Sequence, residues 1–230
     1  MLGTIVNALS IALGTALGLI LKSGIRNHYR ETIMDGVALS VLLIGIMGAI
    51  KTNDLVLLIF SLVIGSIIGE ALKIEDRLAG LGQLIESRTS STDGSVAKAF
   101  VAASLLFCVG SMAIVGSIES GLTGNHQTLF AKSVLDGITS IFLSSAMGFG
   151  VIFSAAAVFL YQGMITLLAS SLKSLLTDEM IREISAIGGV LIMAIGLNML
   201  KIKKIKVGNM LPAILLPFLY YFIKKAIGIA

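Results

Sequence analysis

Residues 127–171 read QTLFAKSVLDGITSIFLSSAMGFGVIFSAAAVFLYQGMITLLASS, with no charge beyond Lys132 and Asp136. A single membrane-crossing helix takes about 20 residues, so this run is too long for one. Gly148, Phe149 and Gly150 near its middle supply a tight turn. The stretch therefore predicts two membrane helices, 127–147 and 149–171. One acid in an otherwise apolar or small run also raises a question of purpose, because an intramembrane charge is costly and calls for a partner.

Working outward, the same composition holds along the chain. Of 230 residues, 56% are hydrophobic and 13% charged, where a soluble domain carries about 25% charge. The mean hydropathy is +1.00. Apolar runs predict eight spans, near 2–22, 33–51, 54–72, 98–118, 127–147, 149–171, 184–201 and 207–228. The fold class is all-α, a polytopic transmembrane bundle of about eight helices, and residues 1–230 form one integral membrane domain.

The net charge of +4 does not point to nucleic acid, because Lys and Arg sit in short clusters between apolar runs. Such clusters set orientation in a membrane. Eleven Lys and Arg fall in one set of alternate loops, among them Arg26, Arg30, Arg77 and the Lys201–Lys206 cluster; six fall in the other. The richer side is expected to be cytoplasmic, with both termini outside. The first ten residues hold no Lys or Arg, so the first run is read as a retained helix rather than a signal peptide. Segment 127–147 is the weakest span; were it re-entrant, the later helices would flip.

Residues 73–97 read as a cytoplasmic amphipathic segment, with Ile74, Leu78, Leu81 and Ile85 at helical spacing, followed by the polar linker TSSTDGS. On either side the chain echoes itself. Arg30-Glu31 and Arg182-Glu183 are each followed by a glycine five positions after the acid (Gly36, Gly188), and then by Lys51 and Lys203. Segments 1–3 thus resemble segments 6–8, and the odd offset implies an inverted repeat, a plan common in secondary transporters. The units are 1–72, a central pair 98–147, and 148–230. A rival register matches SVLDGI (133–138) with TIMDGV (32–37) and aligns segments 1–3 with 4–6.

Several residues are candidates for a polar pathway. Asp136 lies near mid-span, with Lys132 one turn before it and Thr139, Ser140 and Ser144 close by. Two readings are open: a cation or proton site, or a structural hydrogen bond to another helix. Segment 98–118 is interrupted by Cys108, Gly110, Ser111, Gly116 and Ser117; interrupted helices expose backbone groups in transporters, or else pack closely. Asp35, one turn inside segment 2, is a candidate for a cytoplasmic vestibule. Asn7, Gln162 and Asn198 read as interhelical hydrogen-bonding groups, with Asn7 also a candidate for a midplane site. Glu31 and Glu183 read as helix caps. Pro212 is expected to begin the last helix and Pro217 to kink it. Gly14/Gly18 and Gly65/Gly69 are small-residue packing faces, for a neighbouring helix or a second copy in a homodimer.

The chain has one cysteine, Cys108, and two histidines in different loops, with no Walker A or redox motif. No enzyme, cofactor or metal centre is expected.

The stretches FCVGSMAIVGSIESGLTG, TLFAKSVLDGITSIF, LYQGMITLLA and GTIVNALSIALGTALG together resemble the bacterial membrane proteins of domain of unknown function 554 (YdfK/YqgA-like). The resemblance implies a multi-pass protein of the bacterial cytoplasmic membrane and supplies neither substrate nor site residues. The expected function is a secondary transporter or channel for an ion or small solute, with a non-transporting scaffold or sensor as the rival.

Overall fold

The computed structural model describes residues 1–24, 27–80, 95–108, 111–172 and 176–226. In order, the helices are α1 (Leu2–Gly24), α2 (Asn27–Ala49), α3 (Leu55–Ala71), α4 (Ile74–Gly80), α5 (Ser95–Cys108), α6 (Ser111–Thr123), α7 (Gln127–Met147), α8 (Phe153–Leu167), α9 (Ala169–Leu172), α10 (Asp178–Met199) and α11 (Leu216–Ala226). Five helical stretches are long and apolar enough to cross a membrane, and seven if each of two bent pairs counts as one span. Asp35–Ala49 of α2 is a shorter apolar stretch. All eight apolar segments read from the sequence are therefore helical.

The bends are informative. α3 and α4 meet at 54°, and Lys73 between them takes a left-handed backbone with φ 50°. The predicted amphipathic helix is thus a real change of direction, although Leu81, Ile85 and the linker lie outside the described residues. Segment 98–118 is not one helix. It breaks between α5 and α6 with a 59° bend, at the glycine- and serine-rich stretch that marked it as interrupted. Gly148, at φ 89°, makes the turn between α7 and a 3₁₀ turn at Phe149–Ile152 that leads into α8.

Pro212 is placed differently from expectation. Residues Val207–Leu215 form a 3₁₀ segment that contains Pro212, and the α-helix starts only at Leu216. Pro217 therefore sits in the first turn of α11, where the 3₁₀ segment passes into the α-helix. Pro212 thus lies inside the 3₁₀ segment rather than at the start of an α-helix.

α1 displays the packing rule of the whole molecule. Gly3, Thr4, Asn7, Ile11, Gly14, Thr15 and Gly18 face inward, while Leu9, Leu13, Leu17 and Ile20 are more than half exposed. In water this would be inside out. In a bilayer, leucine gains nothing by leaving lipid, so small and polar residues take the interior and let backbones approach.

α1 packs along α7. A methyl group on Gly14 would strike the Gly137 carbonyl and Ser140 Oγ, and one on Gly18 would strike the Ile141 carbonyl and Ser144 Oγ. Gly3 lies against Leu129 at one end of this seam, so the two helices run parallel. α7 therefore runs beside α1 from Gly3 and Leu129 to Gly18 and Ser144, and it is long and apolar enough to cross a membrane. α2 packs antiparallel on α10: Gly45 meets Gly189 and Met193, and Gly196 meets Leu42. α3 packs antiparallel on the 3₁₀ segment, with Gly65 against Ala213 and Gly69 against Asn209. Both predicted glycine pairs are thus used within the chain.

The loops sort to two ends as alternate crossings require. At one end, Glu70 accepts hydrogen bonds from Lys206 (2.7 Å) and Asn209 (2.6 Å), and Gly208 N–H donates to Glu75. At the other, Glu183 accepts from the Asn53 N–H (2.9 Å) and the Thr52 hydroxyl. Glu183 was expected to cap its helix. Instead Thr177 is the N-cap, with Asp178 and Glu179 in the first turn, and Glu183 is fully buried, tying α10 to the α2–α3 loop.

These crossings predict sharply different glycine tolerances. Gly189→Val puts side-chain atoms into the α2 backbone and is expected to destabilise the protein by at least about 1–3 kcal/mol, the usual cost of overpacking. Gly36→Ala meets nothing within 4 Å and should leave the thermal midpoint in detergent unchanged or slightly raised. Equal midpoints for the two variants would contradict the α2–α10 crossing.

Candidate functional site

Among the described residues, the buried ion pair nearest mid-span joins Lys132 and Asp136 on α7. They stand at i and i+4, the spacing that brings two side chains together on one helix face. The Lys132 ammonium donates to both Asp136 oxygens, at 2.8 and 2.7 Å. Each residue is less than a tenth exposed. The pair is closed off by the α1 amide: Asn7 Nδ2 donates to Asp136 Oδ2 at 3.0 Å and also to Gln162 Oε1 of α8 at 3.3 Å. Asn7 and Gln162 are completely buried.

A polar chain thus crosses three helices: Lys132 and Asp136 from α7, Asn7 from α1, Gln162 from α8. α5 ends beside it. Cys108, its last residue, lies within electrostatic reach of both Lys132 and Asp136, and Tyr161 of α8 lies within reach of Cys108. The C-terminal end of α5 therefore lies in the electrostatic neighbourhood of the pair. Two of its atoms have no partner. Asn7 Oδ1, an acceptor, and Gln162 Nε2, a donor, are buried and make no hydrogen bond. An unmade bond of this kind costs about 1–3 kcal/mol; the same is true of Thr4 and Thr15 on α1, whose buried hydroxyls also lack a partner.

The other sequence candidates divide. Ser140 is buried but donates to the Gly137 carbonyl of its own helix and packs against Gly14; it belongs to the α1–α7 seam. Ser144 reaches across that seam to the Thr15 carbonyl. Ser117 is buried and bonded to the Ala113 carbonyl of α6. Thr139 is only partly buried and bonds back to the Leu135 carbonyl, off the inward stripe formed by Ser133, Asp136, Ser140 and Ser144. Asp35 is exposed on α2 and is not among the residues joined to Asp136. Ser111 opens α6, and its side chain lies outside the described residues. Among the described residues, no group of three or more His, Cys, Asp or Glu could hold a metal ion.

Removing one member of the pair strands a charge and is expected to cost about 3–5 kcal/mol. Lys132→Met alone and Asp136→Leu alone should each lower the detergent unfolding midpoint strongly. The double variant removes both charges and should recover most of the loss. A double variant as unstable as the sum of the singles would show that the two residues are not coupled.

A family model described as "Protein of unknown function (DUF554)" matches residues 2–222. The chain is 36% identical to "Uncharacterized membrane protein YdfK" of Bacillus subtilis (strain 168), covering 100% of this chain and 99% of that protein. It is 31% identical to "Uncharacterized protein YqgA" of Escherichia coli (strain K12), covering 94% of each. No solved structure matches it. A match over nearly the whole sequence, on a bundle of apolar helices with a buried polar centre, makes this chain a member of the DUF554 family of membrane proteins.

Proposed function

We propose that this protein is a secondary transporter or channel for an ion or small solute in the bacterial cytoplasmic membrane. The observation that carries the reading is the polar centre itself: a complete ion pair and two buried amides with unused hydrogen-bonding atoms, gathered from three helices. Charged groups facing a bundle interior at mid-depth commonly mark solute and ion pathways.

The pattern of helix contacts supports an inverted repeat in the first of the two registers. Each matched pair of segments touches: α1 with α8, α2 with α10, and α3 with the 207–215 segment. The last two pairs are antiparallel, as inversion requires. Asn7 and Gln162 then stand where the matched helices α1 and α8 meet, the usual place for a transported solute in such folds. The alternate-loop charge count supports an orientation with the Lys201–Lys206 end in the cytoplasm and both termini outside.

Flux through purified protein in liposomes tests the reading. The Lys132→Met/Asp136→Leu double variant, expected to fold, should lose at least about tenfold of any flux per folded molecule, the effect of about 1.4 kcal/mol on a barrier. Asp136→Asn should behave likewise. Full flux from Asp136→Ala would sink the assignment of this site. Absence of flux for every ion and solute tried would favour a scaffold or sensor. Separately, an alkaline phosphatase fused to the C-terminus should be active; an inactive fusion with an active fluorescent-protein counterpart would reverse the orientation.

A further inference from the structure

We infer that the groove between α3 and α11 is a site for one acyl chain of a membrane phospholipid whose headgroup pairs a phosphate with an ammonium. The inference stands apart from the transport reading and from the polar centre. Its ground is the way α3 meets the last segment of the chain. At one end the two touch backbone to backbone: a methyl group on Gly69 would strike Asn209, and one on Gly65 would strike Ala213. On the Asp54 side of Gly65 the glycines stop, and the 3₁₀ segment gives way to α11 at Leu216. There the two walls part. A groove of about 340 Å³ opens between them, lined from Ile64 to Asp54 on α3 and from Leu216 to Ile223 on α11.

The dimensions choose the occupant. Asp54 caps α3, and Ile64 lies ten positions on, about 15 Å at 1.5 Å per residue. That is half of a hydrocarbon core about 30 Å thick. The groove is thus one leaflet deep, and it ends at the Gly65–Ala213 crossing. A volume of about 340 Å³ along that length gives a mean cross-section of about 23 Å². A helix 10 Å across needs roughly 80 Å², so a helix of a second copy is too wide to enter. A polymethylene chain, roughly 4–5 Å across by carbon contact distances, fits. The walls match it, because Phe60, Ile64, Leu219 and Ile223 are apolar and exposed. An apolar gap left empty forfeits dispersion contacts on both sides, and water inside it would find few polar partners.

The mouth chooses the headgroup. Asp54 stands there on α3, accepting the Leu57 N–H at 2.8 Å. Lys224 follows Ile223 on α11. Continuing the antiparallel pairing of Gly69 with Asn209 and Gly65 with Ala213 puts Lys224 at about the level of Asp54. Tyr221 lies within electrostatic reach of Asp54, which places this end of α11 beside it. Among the described residues, neither Asp54 nor Lys224 forms an ion pair. A phosphate set toward Lys224 and an ammonium set toward Asp54 would answer both at once. Residues 51–54, 178–183 and 224–225 around the mouth carry four acids and four bases. They offer no net positive charge to an anionic headgroup, which would also meet Asp54 as a like charge. Phosphatidylethanolamine has the required chemistry.

The test uses the full chain in liposomes. The protein has no tryptophan, so Phe60→Trp and Tyr220→Trp each put a single fluorophore on one wall of the groove. Leu13→Trp puts one on the open lipid face of α1. Phosphatidylethanolamine and phosphatidylglycerol with brominated acyl chains are the quenchers, each titrated into a bilayer of the other lipid unbrominated. Brominated phosphatidylethanolamine should half-quench a groove tryptophan at a mole fraction about threefold lower than it needs at Leu13→Trp, the effect of an exposed charge contact. Asp54→Asn keeps the cap, since asparagine caps as well as aspartate. It and Lys224→Gln should each remove most of that preference. The thermal midpoint reports folding, and either groove tryptophan suffices. Equal quenching at the groove and at α1 by both lipids would overturn the inference. A groove tryptophan that neither lipid quenches, with Leu13→Trp quenched, would show the groove filled by protein and overturn it too. So would a preference for phosphatidylglycerol, or a preference for phosphatidylethanolamine untouched by Asp54→Asn and Lys224→Gln. None of these outcomes bears on flux through the polar centre, so the two readings fail separately.

Discussion

Everything in this structure follows from the lack of a hydrophobic incentive to bury leucine. In water the apolar side chains would collect inside and exclude solvent. In a bilayer they are already solvated, so contact between helices must come from close backbone approach and from polar groups that lipid cannot satisfy. Three seams meet the first need: glycine and serine between α1 and α7, glycine against glycine between α2 and α10, and glycine against backbone between α3 and the 207–215 segment. The second need is met at the centre by Lys132, Asp136, Asn7 and Gln162, and near the two ends by Glu183 and by Glu70 with Asn209. The molecule is held by its smallest and its most polar residues, with its largest apolar ones turned outward.

The same constraint explains what the sequence makes legible. Hydropathy locates all eight apolar segments because composition alone decides whether a stretch can sit in lipid. The break in segment 98–118 is legible from Gly110 and its hydroxyl-bearing neighbours, and the left-handed turn at Gly148 from a glycine between two apolar runs. The Lys132–Asp136 pair is legible because both members lie on one helix, one turn apart. The role of Asn7 is foreseeable only in kind. Its partners are 129 and 155 residues away in the chain, and a single sequence carries no record of which helices meet.

Other residues misled for definite reasons. Thr139 stands three residues after Asp136, and Ser140 four. On a helix of 3.6 residues per turn both are near neighbours of Asp136, but the inward stripe on α7 passes through Ser140 and leaves Thr139 toward the edge. Glu183 looked like a cap because the helix was read as starting at 184. The true start, at Asp178, moves the acid inward by a turn and buries it. Pro212 does not open an α-helix because the last segment starts as a 3₁₀ helix that already contains it.

The placement of the ion pair within a single helix bears on how the chain enters the membrane. Helices of a growing chain partition into lipid more or less in turn, and a solitary carboxylate would weigh against its own segment. α7 brings its counter-ion with it. Lys132 and Asp136 lie four residues apart, so the segment can enter lipid as a dipole rather than as a monopole. Asn7 has been synthesised long before, and Gln162 follows some 26 residues after Asp136. The order of synthesis therefore completes the polar centre from within α7 outward, first the salt bridge, then the amide of α1, last the amide of α8, and at no stage does assembly require an unneutralised carboxylate to wait in lipid for a partner yet to be made.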